Sequence, residues 1–221
     1  MLQPSARTDH GPIKELLRDY IIENMDVCVG RTLYGTPIAR RFKYSVQSLS
    51  LDAGIHRQTL CKVLVDRGLI DASDAGKPNS VLLVDAEEGR RVADMLRNSV
   101  PQQQLPALMN TTLPVVTNLI ELDLLTQLHR KSGRTKRAKC GFDRRQVDEL
   151  LDRLHDLAPE MPDLPGNWVT LTQCTKRARV PMQYVLQLIF EGRVSGIGRS
   201  SGELGFNAIR IDLDEVRDMK L

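Results

Sequence analysis

Aromatic residues are scarce in this 221-residue chain, with four Phe, four Tyr and a single Trp, Trp168. Binding single-stranded nucleic acid by stacking needs a platform of rings on one surface, so that mode is disfavoured. Cysteine is equally sparse. Cys28, Cys61, Cys140 and Cys174 lie more than thirty residues apart, with no C-x-x-C pair. A disulfide scaffold or zinc ribbon is thereby excluded, and a reducing cytoplasm fits. His10, His56, His129 and His155 have no neighbours at metal-ligand spacing, so neither metal nor cofactor is expected. No stretch approaches the roughly 18 apolar residues of a membrane span, and MLQPSARTDH lacks the apolar core of a signal peptide. The expectation is a soluble cytoplasmic protein with no membrane partner. Net charge is also small, with 31 basic residues against 28 acidic ones, so only the distribution of charge can argue for a polyanionic ligand. GIGRSSG, from Gly196, superficially resembles a phosphate-binding loop, but it follows a helical segment and lacks G-K-S/T. No local motif assembles a nucleophile, a base and an orienting group, so the chain reads as non-enzymatic.

What the sequence does contain is a form that occurs three times. VDAEEGRRVADML from Val84, FDRRQVDELLDRL from Phe142 and IDLDEVRDM from Ile211 each open on an apolar residue and Asp, then take helical spacing. The Asp is suited to an N-cap, and Glu88, Gln146 or Glu215 three residues on to completing a capping box. Upstream of each lies a small polar turn, an amphipathic helix and an apolar exit: DAGIHRQTLCKVLVDRGLI, NTTLPVVTNLIELDLL and ARVPMQYVLQLIFEGRV. Gly54 permits a turn, Gly68 and Gly192 end helices, and Pro181 suits a helix start. The loops before the final helices are DASDAGKPNSVLLV, TQLHRKSGRTKRAKCGF and SGIGRSSGELGFNAIRI, with turn residues at their tips and apolar flanks. This predicts a mainly α fold with small β-hairpin wings, in tandem winged helix-turn-helix modules. Their bounds are 1–100 (with an N-terminal amphipathic helix), 101–158 and 159–221, the last opening on a proline-rich linker, APEMPDLPGN.

Such a layout is suited to double-stranded DNA, because a helix fits a major groove about 12 Å wide and offers its outer face to base edges. In module one, His56, Arg57, Gln58, Thr59 and Lys62 are groove-reading residue types around the second helix, and Arg40, Arg41 and Lys43 precede the helix pair where phosphates are met. Module two offers Thr111, Thr112, Thr117 and Asn118, and its loop carries Arg130, Lys131, Arg134, Lys136, Arg137 and Lys139 within ten residues holding no acid. That loop is expected to grip phosphates and to give a steep salt dependence. Module three offers Lys176, Arg177 and Arg179 around its turn, Gln183 on its helix and Arg199 in its loop. Being nearer neutral, it also suits protein docking. PIKELLRDYIIENM places Ile13, Leu16, Leu17, Tyr20 and Ile21 along one helical stripe, expected to pack on module one or to form a partner surface, a homodimer included.

The stretch from HGPIKELLRDYI through GTPIARRFKYSVQSLSLDAGIHRQTLCKVLVDRGLI resembles the C-terminal region of TniQ-type transposition proteins, on R-R, S-V, G-I-H, T-L and G-L-I in order. FDRRQVDELLDRL and the closing module extend the likeness, and the third module resembles the excisionase or MerR type, ending in IRIDLDEV. The resemblance implies a tandem winged-helix region that binds duplex DNA and assists target selection for a mobile element, with transposition proteins as partners. The rival expectations are a transcriptional regulator and a protein-interaction scaffold with incidental DNA contact. The cysteine-rich zinc region with which such proteins usually begin has no counterpart here.

Overall fold

The computed structural model describes residues 11–128 and 141–219. The chain divides into two compact units, Met1–Arg97 and Asn98–Leu221. Helix dominates, with short, mostly antiparallel strands between the helices.

The first unit opens with α1 (Gly11–Asn24) and a two-stranded turn, β1 (Thr32–Leu33) and β2 (Thr36–Pro37). It continues as β3 (Lys43–Ser45), α2 (Val46–Ala53), α3 (Arg57–Asp66), β4 (Leu83–Asp85) and α4 (Ala86–Arg97). The second unit repeats the latter part twice. Its first copy is β5 (Ser99–Pro101), α5 (Leu105–Leu108), α6 (Leu113–Glu121), β6 (Gly141–Asp143) and α7 (Arg144–Leu157). After β7 (Glu160–Met161) comes the other: β8 (Trp168–Thr170), α8 (Leu171–Ala178), α9 (Met182–Phe190), β9 (Ile197–Ser200), β10 (Ile209–Asp212) and α10 (Leu213–Asp218).

The repeat extends to single hydrogen bonds. In each copy the opening strand pairs antiparallel with the strand before the last helix, in one register: Tyr44 opposite Val84, Val100 opposite Phe142, Val169 opposite Ile211. Each helix pair is joined through a left-handed residue, Gly54 (φ 67°), Asn110 (φ 46°) or Arg179 (φ 54°). The next residue's N–H reaches back five positions, from Ile55 to Ser50, Thr111 to Pro106 and Val180 to Thr175, at 3.0, 2.8 and 3.2 Å. This closes the first helix with a Schellman-type bond. Each second helix ends likewise, at Gly68, Asp123 and Gly192, all left-handed. Asp85, Asp143 and Asp212 cap the last helices, each accepting from the backbone N–H two residues on, as their position in the sequence predicts.

The capping boxes close differently. Gln146 Oε1 accepts from Thr126 N (3.1 Å), and Glu215 accepts from Ser195 N and Gly196 N (2.8 and 2.6 Å). Both side chains tie the last helix to the exit of the second helix instead of to their own caps. Burial works to raise the Glu215 carboxyl, but these bonds outweigh it and hold the group below its ordinary value.

The expected hairpin wing of module one is replaced. The loop from 67 to 82 holds a short 3-10 turn, Ala72–Asp74, and folds back so that Leu82 and Asn79 carbonyls accept from Val46 and Gln47. In module three β9 and β10 do pair antiparallel, within a sheet ordered β7-β9-β10-β8. The proline-rich linker supplies β7, parallel to β9. Modules two and three share one apolar core running from Leu105 to Val216, whereas module one has its own around Val46, Leu49, Leu60, Leu64 and Val84.

Candidate nucleic-acid interface

The three second helices occupy equivalent places, so their outer faces can be compared directly. On α3, Leu60, Cys61, Val63 and Leu64 are buried, and His56, Arg57, Gln58, Thr59 and Lys62 are all exposed. Gln58 and Lys62, four residues apart, stand one above the other on the outward line. No acidic group lies within ion-pair distance of Arg57 or Lys62 among the described residues. Arg57 is the first residue of α3, and the first turn contains no acid. The amino end of a helix carries partial positive charge, so a cation there opposes the dipole by about 0.3–1 kcal/mol. Folding therefore gives no reason for an arginine at this position.

The face of α6 is different. Leu113, Pro114, Thr117 and Glu121 point outward without a cation. Asn118, expected to contact DNA, is half-buried and donates its amide to the Pro114 carbonyl (2.7 Å), while Thr117 donates to Leu113 O (3.1 Å). Each side chain gives a donor to its own helix. Thr112 is the exposed N-cap residue of α6, without a capping bond from its side chain. The cationic loop with Arg130, Lys131, Arg134, Lys136, Arg137 and Lys139 lies outside the described residues. Sequence reasoning missed Arg145, which is exposed in the first turn of α7, directly behind the capping Asp143. The only signal was its place in FDRRQ, a segment read there as a helix cap.

In α9, Val185, Leu186, Leu188, Ile189 and Phe190 are buried, because the helix packs on module two as well as on its own module. Gln183, Gln187 and Glu191 form the one exposed strip, with Gln187 bonded to Glu191 (2.7 Å). Lys176 and Arg177 are exposed in the last turn of α8, where the negative end of the dipole favours cations whatever their function. Arg179 is exposed at the left-handed turn position. Arg199 sits within β9, not in a free loop, 29% exposed and paired with Glu160 at 3.6 Å. The loop between β9 and β10 docks on the turn of module two: Phe206 N and Asn207 N donate to Met109 O and Asn110 O, both at 3.1 Å. A Cβ on Gly205 would lie 2.2 Å from Met109 O.

Arg41 requires a correction. Expected at the phosphate backbone, its side chain is only 8% exposed and forms an ion pair with Asp26, itself 18% exposed. It also reaches Asp52 (3.2 Å) and Ser48 Oγ (2.8 Å) and lies 3.7 Å from the Tyr44 ring centroid. Asp26 further accepts from Ser45 N (3.0 Å) and Ser48 Oγ (2.6 Å). Burial works to raise the Asp26 carboxyl, but hydrogen bonds from Ser48, Ser45 and Arg41 prevail and hold it below its ordinary value of 3.8. Arg41 is thus a clasp between the segment after α1 and the start of α2. Arg40 does face solvent, in an exposed pair with Glu87 (2.6 Å) that a phosphate could replace at little cost. Lys43 is half-buried on β3, opposite Asp85.

Among the described residues no cluster of three or more His, Cys, Asp or Glu is placed to hold a metal, and no helix is long and apolar enough to cross a membrane. Comparison with family models, curated proteins and solved structures finds no match to this chain. The functional reading therefore rests on the geometry of the side chains.

Proposed function

We propose that the chain is a double-stranded DNA-binding protein of three winged helix-turn-helix-like modules, and that module one reads the duplex with α3. The observation that carries this reading is Arg57 and Lys62, exposed on a polar outer face and without an ion-pair partner among the described residues, with Arg57 set against its own helix dipole. Arg57, Gln58 and Lys62 are the side chains that would meet base edges, with His56 and Thr59 beside them, and Arg40 and Lys43 would meet phosphates. The cations of residues 130–139 would add affinity without sequence preference, each phosphate neutralised steepening the log–log salt dependence by about 0.9. A part in placing the machinery of a mobile element rests on the sequence resemblance alone. No catalytic role is assigned to any residue.

The second reading, an interaction scaffold, is favoured for the second unit. The outer faces of α6 and α9 lack cations, and the loop of module three is spent on the turn of module two. Module three is accordingly given a protein-docking role, with DNA read by module one.

Fluorescence anisotropy with a labelled duplex that the parent chain selects from a random pool tests the proposal. At about 50 mM salt the chain is expected to bind, and Arg57→Ala with Lys62→Ala to weaken binding at least tenfold, since one good base contact contributes about 1–3 kcal/mol. A chain that takes up no duplex, or a double variant that binds like the parent, would overturn it.

A further inference from the structure

The stripe on α1 faces away from the unit it belongs to. Ile13, Leu16, Leu17 and Tyr20 are 73, 70, 45 and 63% exposed, and Ile22 is the single buried residue of the helix. Lys14, Arg18 and Ile22, at four-residue spacing, run from the edge of the stripe to the inner side, and Lys14 and Arg18 are half-buried. Arg18 donates to Pro37 O (3.4 Å). The helix is therefore held by Ile22, the half-buried Ile21 and the stems of two cations, while Ile13, Leu16, Leu17 and Tyr20 meet water. This reverses the ordinary orientation of an amphipathic surface helix.

A second feature points the same way. Tyr34, at the tip of the β1–β2 turn, takes φ 52°, a left-handed conformation that glycine or asparagine adopts far more readily, and is 43% exposed. Its ring lines, with Ile13, Lys14 and Leu17, a depression of about 240 Å³. That is small for a cofactor-sized ligand and large enough for one aliphatic or aromatic side chain. A strained backbone thus holds an aromatic ring beside an uncovered apolar stripe.

We infer that this face binds the same face of a second copy of the chain, forming a two-fold dimer with the two α1 helices running parallel. Taking a full large side chain at roughly 150–250 Å², the exposed parts of Ile13, Leu16, Leu17, Tyr20 and Tyr34 leave about 440–740 Å² per copy. Doubling by symmetry reaches the roughly 1,000 Å² that a specific interface needs. The edges of the stripe differ in sign, with Lys14 on one side and Asp19 and Glu23 on the other. Parallel pairing sets unlike edges against each other, whereas antiparallel pairing opposes like ones. The same acids disfavour a lipid surface, since helices that lie on membranes flank their apolar face with Lys and Arg. On the proposed DNA-binding reading, and only there, the dimer would present two copies of α3 to paired half-sites.

Sedimentation equilibrium of the full chain tests the inference. At micromolar concentration the parent is expected at twice 24.9 kDa, and Leu16→Glu with Tyr20→Glu at the monomer mass. The dissociation constant should rise at least 100-fold while the circular dichroism spectrum is unchanged, because both side chains are exposed in the single copy. Arg57→Ala with Lys62→Ala is expected to leave the mass at the dimer value, which separates this test from that of DNA binding. A parent that stays monomeric up to about 100 μM, a range in which specific dimers associate, would overturn the inference, whether or not it adheres to vesicles or to another protein. So would a glutamate variant that still dimerises.

Discussion

Replacing Arg41 by alanine separates a contact to DNA from a clasp within the fold. The variant removes the partner of Asp26 and leaves a carboxylate that is 18% exposed, held by Ser45 and Ser48. Breaking a fully buried pair by losing one partner costs about 3–5 kcal/mol. Residual hydration of Asp26 and the surviving hydrogen bonds from Ser45 and Ser48 bring the expected loss to about 2–3 kcal/mol. For a unit of this size each kcal/mol moves the melting temperature by about 4–8 °C, so a fall of roughly 10–20 °C is expected. Amide hydrogen exchange should show the loss in α2, α3 and α4, and the second unit should keep its protection. Duplex affinity measured well below the lowered midpoint should fall less than threefold. An Arg41→Ala chain with undiminished protection and a large loss of DNA affinity would refute the clasp and restore Arg41 to the phosphate backbone.

Other consequences are open to measurement. Gly205→Ala puts a Cβ against Met109 O at φ +59° and should destabilise the second unit by about 2–3 kcal/mol, followed in urea by Trp168 fluorescence. The Asp26 and Glu215 carboxyls both titrate below their ordinary values of 3.8 and 4.5 in the fold. Their stabilisation is complete above those values and is lost as pH falls through the lowered ones, and the Asp26→Asn and Glu215→Gln variants should show a shallower acid limb than the parent. Cys28 is exposed, Cys61 and Cys174 are buried, and burial pushes the Cys174 thiol up to about 11. Alkylation of the native chain at pH 8 should therefore modify Cys28 and spare Cys61 and Cys174, as read by peptide mass.

The repeated order of elements was legible because its signals are local. An Asp after an apolar residue caps a helix wherever the chain goes, and Gly54, Gly68 and Gly192 stand where a left-handed residue ends one. Asn110, Asp123 and Arg179 do the same at higher cost, which a single sequence does not announce. The outer face of α3 was legible for the same reason, since residues 56 to 62 fix its two sides by helical period. What escaped depended on distant partners. Nothing near Arg41 shows that Asp26 will lie against it, and nothing near Asn118 or Arg199 separates a free polar side chain from one bonded to its helix or to Glu160. Amphipathic period located the stripe of α1 but could not say which side meets the unit. The loop of module three has the turn residues of a wing, and only the approach of Gly205 to Met109 puts it on the neighbouring module.

On the proposed reading α3, alone among the three second helices, touches the duplex. A photoreactive amino acid placed in turn at the positions of Gln58, Thr117 and Gln183, all exposed on equivalent helices, measures this directly. Irradiation with bound duplex should give a covalent adduct from position 58 and none from positions 117 or 183. An adduct from position 117 or 183, or none from position 58, would contradict the account.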